Sequence, residues 1–126
     1  MFLTLALLAA SPPIADGQRI QARLVRVVDG DTLRIDLDIG ADVILKNQAV
    51  RILGIDAPEM REIAGRRSKA AMEAFLIDKK LEIELHGKDK YGRWLGDVYA
   101  DGENVALWML RNGHAKLYSI GRQGMP

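Results

Sequence analysis

Polar and apolar residues alternate along much of the first half of the chain, with a period of two that is typical of half-buried β-strands. The alternation begins at Arg19, runs into an Asp-Gly turn and resumes over 33–39. Apolar segments at 43–45 and 50–55 follow, and polar residues 46–48 interrupt them. The pattern predicts three strands in this half, with an interruption between the two apolar segments of the third.

The period changes after the Ala57-Pro58 pair, where proline ends the strand pattern and forms a corner. Apolar residues then recur first at helical spacing and later at strand spacing. The elements predicted in this half are a helix over about 66–79, strands over 81–85 and 94–100, a helix over 104–112 closed by Gly113, and a short extended piece at 117–118.

The predicted order is therefore three strands, a helix, two strands and a second helix. This is the order of an OB-fold, in which five strands close into a barrel and a helix lies between strands three and four. The fold class that the pattern predicts is α+β with mainly β structure. At 126 residues the chain has the length of one domain.

Composition narrows the chemistry that such a domain can perform. The net charge is only +1, whereas a domain that coats a long duplex usually has a larger basic excess. If the substrate is a polyanion, the positive groups must therefore be concentrated around one or two phosphates. The chain has no cysteine, which excludes disulfides, thiolate metal sites and a cysteine nucleophile.

The first residues form a separate segment. Residues 2–10 are apolar except for Thr4, and a Ser-Pro-Pro sequence follows at 11–13. This pattern is typical of a secretory signal peptide, and the run is too short for a helix that spans a bilayer. We expect a signal peptide at 1–15 and a mature domain at 16–126 that is secreted or periplasmic and not membrane-bound. The alternatives are an apolar N-terminal strand and a cytoplasmic protein.

Three clusters of charged residues lie at predicted strand ends and corners. They are Asp29–Thr32, Arg51–Glu59 and Asp89–Arg93. Each alone has a structural explanation, since Asp-Gly favours turns and carboxylates favour helix N-termini. Arg51 is the exception, because it lies in an apolar strand where a guanidinium needs a partner.

Together the clusters contain the groups that hydrolysis of a phosphodiester needs. Negative charge develops on the phosphoryl oxygens as water attacks, and a metal ion and guanidinium groups stabilise that charge. A carboxylate orients or deprotonates the water. The chain offers two aspartates for a hard cation, two arginines for phosphate and one glutamate for water.

In their order and approximate separation, the three clusters resemble the signature blocks of the staphylococcal nuclease (thermonuclease) family. Residues 104–116 also resemble the helix that follows the last barrel strand in that family, and the resemblance covers about 18–118. It implies an SNase-like OB-fold domain with endonuclease (hydrolase) activity. The implied substrates are single-stranded or locally melted DNA, and also RNA, cleaved with little sequence preference to leave 3′-phosphate ends.

The same resemblance implies a calcium ion. Asp31 and Asp56 would bind it through their carboxylates and Ala57 through its backbone carbonyl. The family often has threonine at the position of Ala57, but alanine keeps the carbonyl. Asp29 and Thr32 would support the metal loop without binding the ion directly.

For the substrate, the resemblance implies that Arg51 and Arg93 hold the scissile phosphate and that Glu59 positions or deprotonates the attacking water. Tyr91 and Tyr118 lie where the family contacts phosphate or base. On this interpretation, Arg51→Ala or Arg93→Ala is expected to reduce activity by orders of magnitude with little loss of folding.

The chain also departs from the family pattern. The hairpin over 36–50 is long and acidic, and the family usually continues into a third helix, which we do not expect in the eight residues after Tyr118. The rival function is a non-catalytic OB-fold module that binds nucleic acid or protein. The charged site residues favour the enzyme because a binding module has no need for all of them together. We expect a monomer.

Overall fold

The alternating segments form long antiparallel strands in the computed structural model, which describes residues 17–118. The expected signal peptide at 1–15 and the chain after Tyr118 lie outside the described residues, so the expectations for them stay predictions. The elements in chain order are β1 (Arg19–Asp29), β2 (Thr32–Asp38), β3 (Ile44–Ile52), β4 (Ile55–Asp56), α1 (Ile63–Leu76), β5 (Leu81–Lys88), β6 (Trp94–Ala100), β7 (Glu103–Asn104), α2 (Val105–Arg111) and β8 (Lys116–Leu117). No helix among the described residues is long and apolar enough to cross a membrane.

Strands β1, β2, β3, β5 and β6 close into a barrel. They are hydrogen-bonded in the order β3-β2-β1-β5-β6 through antiparallel pairs. A short parallel pairing of β3 with β6, in which Arg51 lies opposite Leu95, closes the sheet on itself. Helix α1 lies between the third and fourth barrel strands along the chain, and α2 follows the fifth. This arrangement is an OB-fold and confirms the predicted fold class.

The hydrophobic core fills the barrel because each strand turns every second side chain inward. On β2, for example, Leu33, Ile35 and Leu37 are fully buried, and more exposed residues alternate with them. The two helices join the same core, and Phe75 of α1 stacks on Trp108 of α2 with ring centroids 4.1 Å apart. The alternation that predicted the strands is thus the pattern that fills the interior.

Two elements differ from their predicted form. Helix α1 spans 63–76 instead of about 66–79, and Asp78, with a φ of 57°, lies outside the helical region just beyond its end. The third strand is continuous over 44–52, although its polar residues were expected to interrupt it. Asn47 has a φ of 52° and its N–H donates to Asp36 Oδ1 at 2.9 Å, so these residues form a bulge within the pairing to β2.

Helix α1 packs directly on the backbone of the segment that precedes it, and Gly65 permits this contact. A Cβ at Gly65 would overlap the carbonyl group of Glu59 and would lie 2.9 Å from the carbonyl oxygen of Pro58. These neighbours are backbone atoms, which no change of rotamer moves away. Gly65 therefore sets the distance between α1 and the segment that follows Asp56.

Gly65→Ala is expected to lower the free energy of unfolding by about 1–3 kcal/mol because of this overlap, although alanine normally favours a helix over glycine by about 1 kcal/mol. Urea denaturation measures the change. The control is Ala70→Gly on the exposed side of α1, which is expected to lose only the helix propensity of about 1 kcal/mol. A Gly65→Ala protein that is more stable than the wild type would contradict the close packing.

Candidate active site

Arg51 lies near the end of β3, where this strand pairs with β6 and closes the barrel. Its side chain is only 10% exposed, and Nη1 donates to the carbonyl oxygen of Ile52 at 2.7 Å. Nη2 lies 3.4 Å from Asp56 Oδ1 and 3.7 Å from Asp31 Oδ2. The partners that a guanidinium in an apolar strand requires are therefore two aspartates from other segments of the chain.

Asp31 lies in the turn between β1 and β2, and hydrogen bonds fix its carboxylate. Oδ1 accepts from the hydroxyl of Thr32 at 2.9 Å, and Oδ2 accepts from the N–H of Ala57 at 2.8 Å. The N–H of Asp31 in turn donates to Asp29 Oδ1 at 3.0 Å. The predicted supporting residues thus contact the predicted ligand, and one of these bonds ties the turn to the corner after Asp56.

Two carboxylates lie close together in this turn. Burial raises the pKa of Asp29 above its ordinary value, and the side chain and charge of Asp31 add to the rise, whereas the backbone N–H groups of Asp31 and Thr32 oppose it. This environment therefore disfavours the charged form of the Asp29 carboxylate.

The acidic pair suits a hard divalent cation. Asp31 and Asp56 both approach Arg51 Nη2, so their oxygens converge on one region at the surface of the barrel. Calcium and magnesium prefer oxygen ligands of this kind. An ionised carboxylate offers about four lone-pair positions, so Asp31 has acceptor capacity beyond its bonds to Thr32 and Ala57. The carbonyl of Ala57 as a third ligand stays a prediction.

Arg93 lies in the loop between β5 and β6, where Asp89 holds it. Arg93 Nε donates to Asp89 Oδ2 at 2.8 Å, and Asp89 Oδ1 accepts from the N–H groups of Tyr91 and Arg93 at 2.9 Å. Burial by itself raises the pKa of Asp89, but these donors and the guanidinium charge outweigh it and hold the pKa below its ordinary value of 3.8. Asp89 is therefore ionised at neutral pH and fixes the loop.

A cavity of about 450 Å³ joins the two arginines. Arg51, Arg93, Tyr91 and Tyr118 all line it. The pairing of β8 with β4 brings Tyr118 into place, since the N–H of Tyr118 donates to Gly54 O at 3.0 Å and its ring lies 4.9 Å from Arg51 Cζ. Two guanidinium groups, the ammonium group of Lys90 and two aromatic residues thus line a space of the size that binds small molecules.

Glu59 does not line this cavity, and neither do the predicted metal ligands Asp31, Asp56 and Ala57 or the supporting residues Asp29 and Thr32. The carboxylate of Glu59 pairs with Arg61 Nε at 2.6 Å, and its side chain is 64% exposed. It lines a neighbouring cavity of about 560 Å³ together with Asp56 and Ala57. An exposed ion pair contributes little free energy, so Glu59 is able to change its rotamer at small cost.

Comparison with known proteins places this site in a family. Residues 49–125 match the family model described as staphylococcal nuclease homologue. A protein of Escherichia coli O157:H7 named "Uncharacterized endonuclease" is 40% identical over 100 residues, which cover 79% of this chain and 61% of that protein. The chain belongs to the staphylococcal nuclease family.

Two further relatives extend the match. "Probable staphylococcal-like nuclease CAN1" of Oryza sativa subsp. japonica is 32% identical over 104 residues, which cover 82% of this chain and 31% of the rice protein. "Protein ParB" of Escherichia coli is 32% identical over 132 residues, which cover 95% of this chain and 68% of that protein. The chain thus spans less than two thirds of the length of the endonuclease and of the rice relative.

One feature of this staphylococcal nuclease homologue that the sequence interpretation missed is the role of Asp89 as the anchor of Arg93. The spacing of four residues across a loop that ends in Gly92 was the available signal. Because the carboxylate accepts two backbone N–H groups as well as the guanidinium, it acts on the loop and on the arginine together.

A second missed feature is a group of metal-ligating side chains on the neighbouring strands β5 and β6. His86 Nε2 lies 3.2 Å from Glu84 Oε2 and 3.1 Å from Asp97 Oδ2. Among the described residues, these three are the one set of at least three His, Cys, Asp or Glu side chains whose ligand atoms lie close enough together to hold a metal ion. The strand spacing of Glu84 and His86, which places both on one face, was the signal. None of the three lines the cavity of Arg51.

Replacing Arg51 and replacing Arg93 are expected to lower the free energy of unfolding by different amounts. Arg51→Ala leaves the buried carboxylate of Asp31 without its cation and is expected to lower the free energy of unfolding by about 3–5 kcal/mol. Arg93→Ala removes a partly exposed ion pair and is expected to cost less than about 1 kcal/mol. The expectation of little loss of folding is therefore kept for Arg93 alone. Urea denaturation measures both, and equal small losses would contradict the burial argument.

Asp89 gives the protein a dependence on acid. Its pKa is lower in the folded chain than in the unfolded chain, so its contribution to stability is complete well above pH 3.8 and is lost as the pH falls through the folded-state value. We expect Asp89→Asn to melt at a lower temperature than the wild type at pH 7, and the difference to shrink below pH 3.8. Thermal melts across this range test it. A difference that is the same at both ends would show that the charge of Asp89 is not responsible.

Proposed function

We propose that this protein is a calcium-dependent nuclease that hydrolyses phosphodiester bonds of DNA and RNA with little sequence preference. The observation that carries the proposal is the position of Arg51, whose buried guanidinium lies beside two carboxylates and lines one cavity with Arg93. The names of the relatives, an endonuclease and a probable staphylococcal-like nuclease, support the same activity. We propose that the active protein is a monomer.

The two guanidinium groups bind the phosphate in this proposal. A guanidinium donates two parallel hydrogen bonds to phosphate oxygens, and it stabilises the charge that develops there as the bond to the attacking water forms. Arg51 is held rigid by its carboxylate and carbonyl partners, whereas Arg93 is anchored through one carboxylate in a loop. Both donors are in place before substrate binds, which reduces the cost of ordering them.

Asp31 and Asp56 hold the calcium ion, with the carbonyl of Ala57 as a further ligand. When bound, the ion supplies positive charge that polarises the phosphate and lowers the pKa of water. Asp29 and Thr32 keep the carboxylate of Asp31 in position through the turn.

In this proposal the Glu59 carboxylate first breaks its ion pair with Arg61. It then positions or deprotonates the attacking water. Its high exposure and its weak ion pair permit this movement. Asp56 contacts Arg51 and also lines the cavity of Glu59, so it marks where the two cavities approach each other. The water oxygen forms a bond to phosphorus, and the bond from phosphorus to the 5′-oxygen breaks. The 5′-oxygen takes a proton from solvent and leaves as a hydroxyl, so the other product carries a 3′-phosphate end.

Aromatic contacts account for the proposed substrate preference. The ring of Tyr91 is 71% exposed at the mouth of the cavity, and Tyr118 lies next to Arg51. Bases stack on such rings with little regard for sequence, and a stacked base must first leave its duplex. Single-stranded or locally melted nucleic acid is therefore the substrate that we propose.

The test is a digest of end-labelled single-stranded DNA and RNA with calcium, with magnesium and with chelator, followed by analysis of the product ends. We expect cleavage with calcium and none with chelator. Asp31→Asn, Glu59→Gln and Arg93→Ala are each expected to reduce the rate by about 10²-fold or more. Glu59→Gln has the smallest effect on the fold, because its side chain is exposed.

His86→Gln is the matched control for the position of the metal. It removes a ligand from the other group of metal-ligating side chains and lies outside the cavity of Arg51. We expect it to keep the calcium dependence of the wild type, whereas Asp31→Asn loses it. Full activity in chelator would refute the metal assignment. Binding of nucleic acid without cleavage under all conditions would favour the rival, non-catalytic OB-fold module.

A further inference from the structure

Arg26 of β1 and Arg34 of β2 are direct partners in the antiparallel pairing of these strands. Like charges directly opposite each other on neighbouring strands destabilise a sheet. The same two strands avoid this arrangement elsewhere, since Arg23 lies opposite Asp36 and approaches its carboxylate to 3.9 Å. The pair of Arg26 and Arg34 therefore requires an explanation other than sheet stability.

No carboxylate among the described residues forms an ion pair with either guanidinium, while five other arginines of residues 17–118 have such partners. Arg26 is exposed, and Arg34 is half-buried with its Nη1 donating to the carbonyl oxygen of Asn47 at 2.9 Å. Asp29 lines the same groove, and its Oδ1 accepts from the N–H of Asp31. The two guanidinium groups thus share this groove with one carboxylate, with which neither forms an ion pair.

These arginines line a groove of about 460 Å³ that is separate from the cavity of Arg51 but shares walls with it. Tyr91 and Arg93 belong to both, so the groove leads from the candidate active site onto the outer face of β1 and β2. Tyr91 lines both spaces, and the residue is 71% exposed. A ligand that fills the active-site cavity and continues past Tyr91 along the groove reaches Arg34 and Arg26.

We propose that this groove is a second phosphate-binding site, which holds the backbone of the single strand beyond the bond that is cleaved. A phosphodiester supplies a negatively charged partner for the two opposed arginines. Guanidinium groups bind phosphate oxygens through pairs of hydrogen bonds. Tyr91 stacks on the base between the two phosphate sites. The proposal rests on the proposed nuclease function, and it adds the residues that select long strands over short ones.

Binding is measured in chelator, where no cleavage is expected, with a fluorescent twelve-nucleotide single strand and with a labelled dinucleotide. For Arg26→Gln with Arg34→Gln we expect at least a tenfold lower affinity for the long strand and less than a twofold change for the dinucleotide. The slope of log K against log salt is expected to decrease by about 0.7 for each phosphate that the double variant no longer neutralises.

Three variants serve as controls. Arg26→Lys keeps the charge and is expected to keep most of the salt dependence. Arg111→Gln removes one exposed charge on α2, outside the groove, and is expected to leave affinity within twofold of the wild type. Arg26→Gln alone is expected to raise the melting temperature at low salt, because it removes the repulsion between the strands.

The outcomes distinguish this site from the nuclease function. If the wild type cleaves DNA but the double variant binds the long strand as the wild type does, the groove is not a phosphate site and the nuclease proposal stands. If the wild type binds the long strand through these arginines but cleaves nothing, the groove stands and the nuclease proposal fails. Equal losses of affinity for the long strand and the dinucleotide would overturn the groove, because they would place the arginines at the first site.

Discussion

One buried guanidinium, that of Arg51, organises the site of this protein. Arg51 lies where β3 pairs with β6 and closes the barrel, and its side chain is buried there. The desolvation of such a charge costs several kcal/mol unless partners face it. Asp31 and Asp56 supply them from a turn and from a short strand that are distant in sequence. Because a buried ion pair contributes little net stability compared with apolar residues, the arrangement is better explained by its chemistry than by the fold.

The remaining elements bring the other groups to this guanidinium. The β4–β8 pairing sets Tyr118 beside Arg51, and the Asp89 carboxylate fixes the loop of Arg93 on the opposite wall. The fold holds these groups rigidly because each is tied to backbone hydrogen bonds. The segment with Glu59 is different, since α1 fixes its backbone at Gly65 while the Glu59 side chain stays in solvent. The region therefore combines charged groups that hydrogen bonds hold in place with one exposed carboxylate, that of Glu59.

The distribution of charge explains how a chain with a net charge of only +1 is able to address a polyanion. Over most of the outer sheet, arginines face acids, as Arg19 does with Glu84 and Arg23 with Asp36. Such pairs cancel each other at distances beyond about 10 Å, which is the screening length at moderate salt. Of the arginines without a carboxylate partner in residues 17–118, Arg26 and Arg34 line the groove that leads from the cavity, whereas others, such as Arg67 and Arg111, lie on the helices. Under the proposed function, the positive groups of the cavity and the groove attract the strand locally.

The sequence by itself determined the barrel, because strand periodicity and the glycine and proline positions depend on neighbours along the chain. Leu33, Ile35 and Leu37 specify an inward face wherever the strand lies. It also singled out Arg51 by its place in an apolar strand, whereas Asp31 and Asp56 were named as ligands by the resemblance of their segments to the family's signature blocks. Only the tertiary structure decided that Arg51 lies between two aspartates, that Glu59 points away from it, and that Arg26 opposes Arg34. These facts depend on strand register, on closure of the sheet and on rotamers, which are set by contacts between distant segments and have no periodic trace in the sequence.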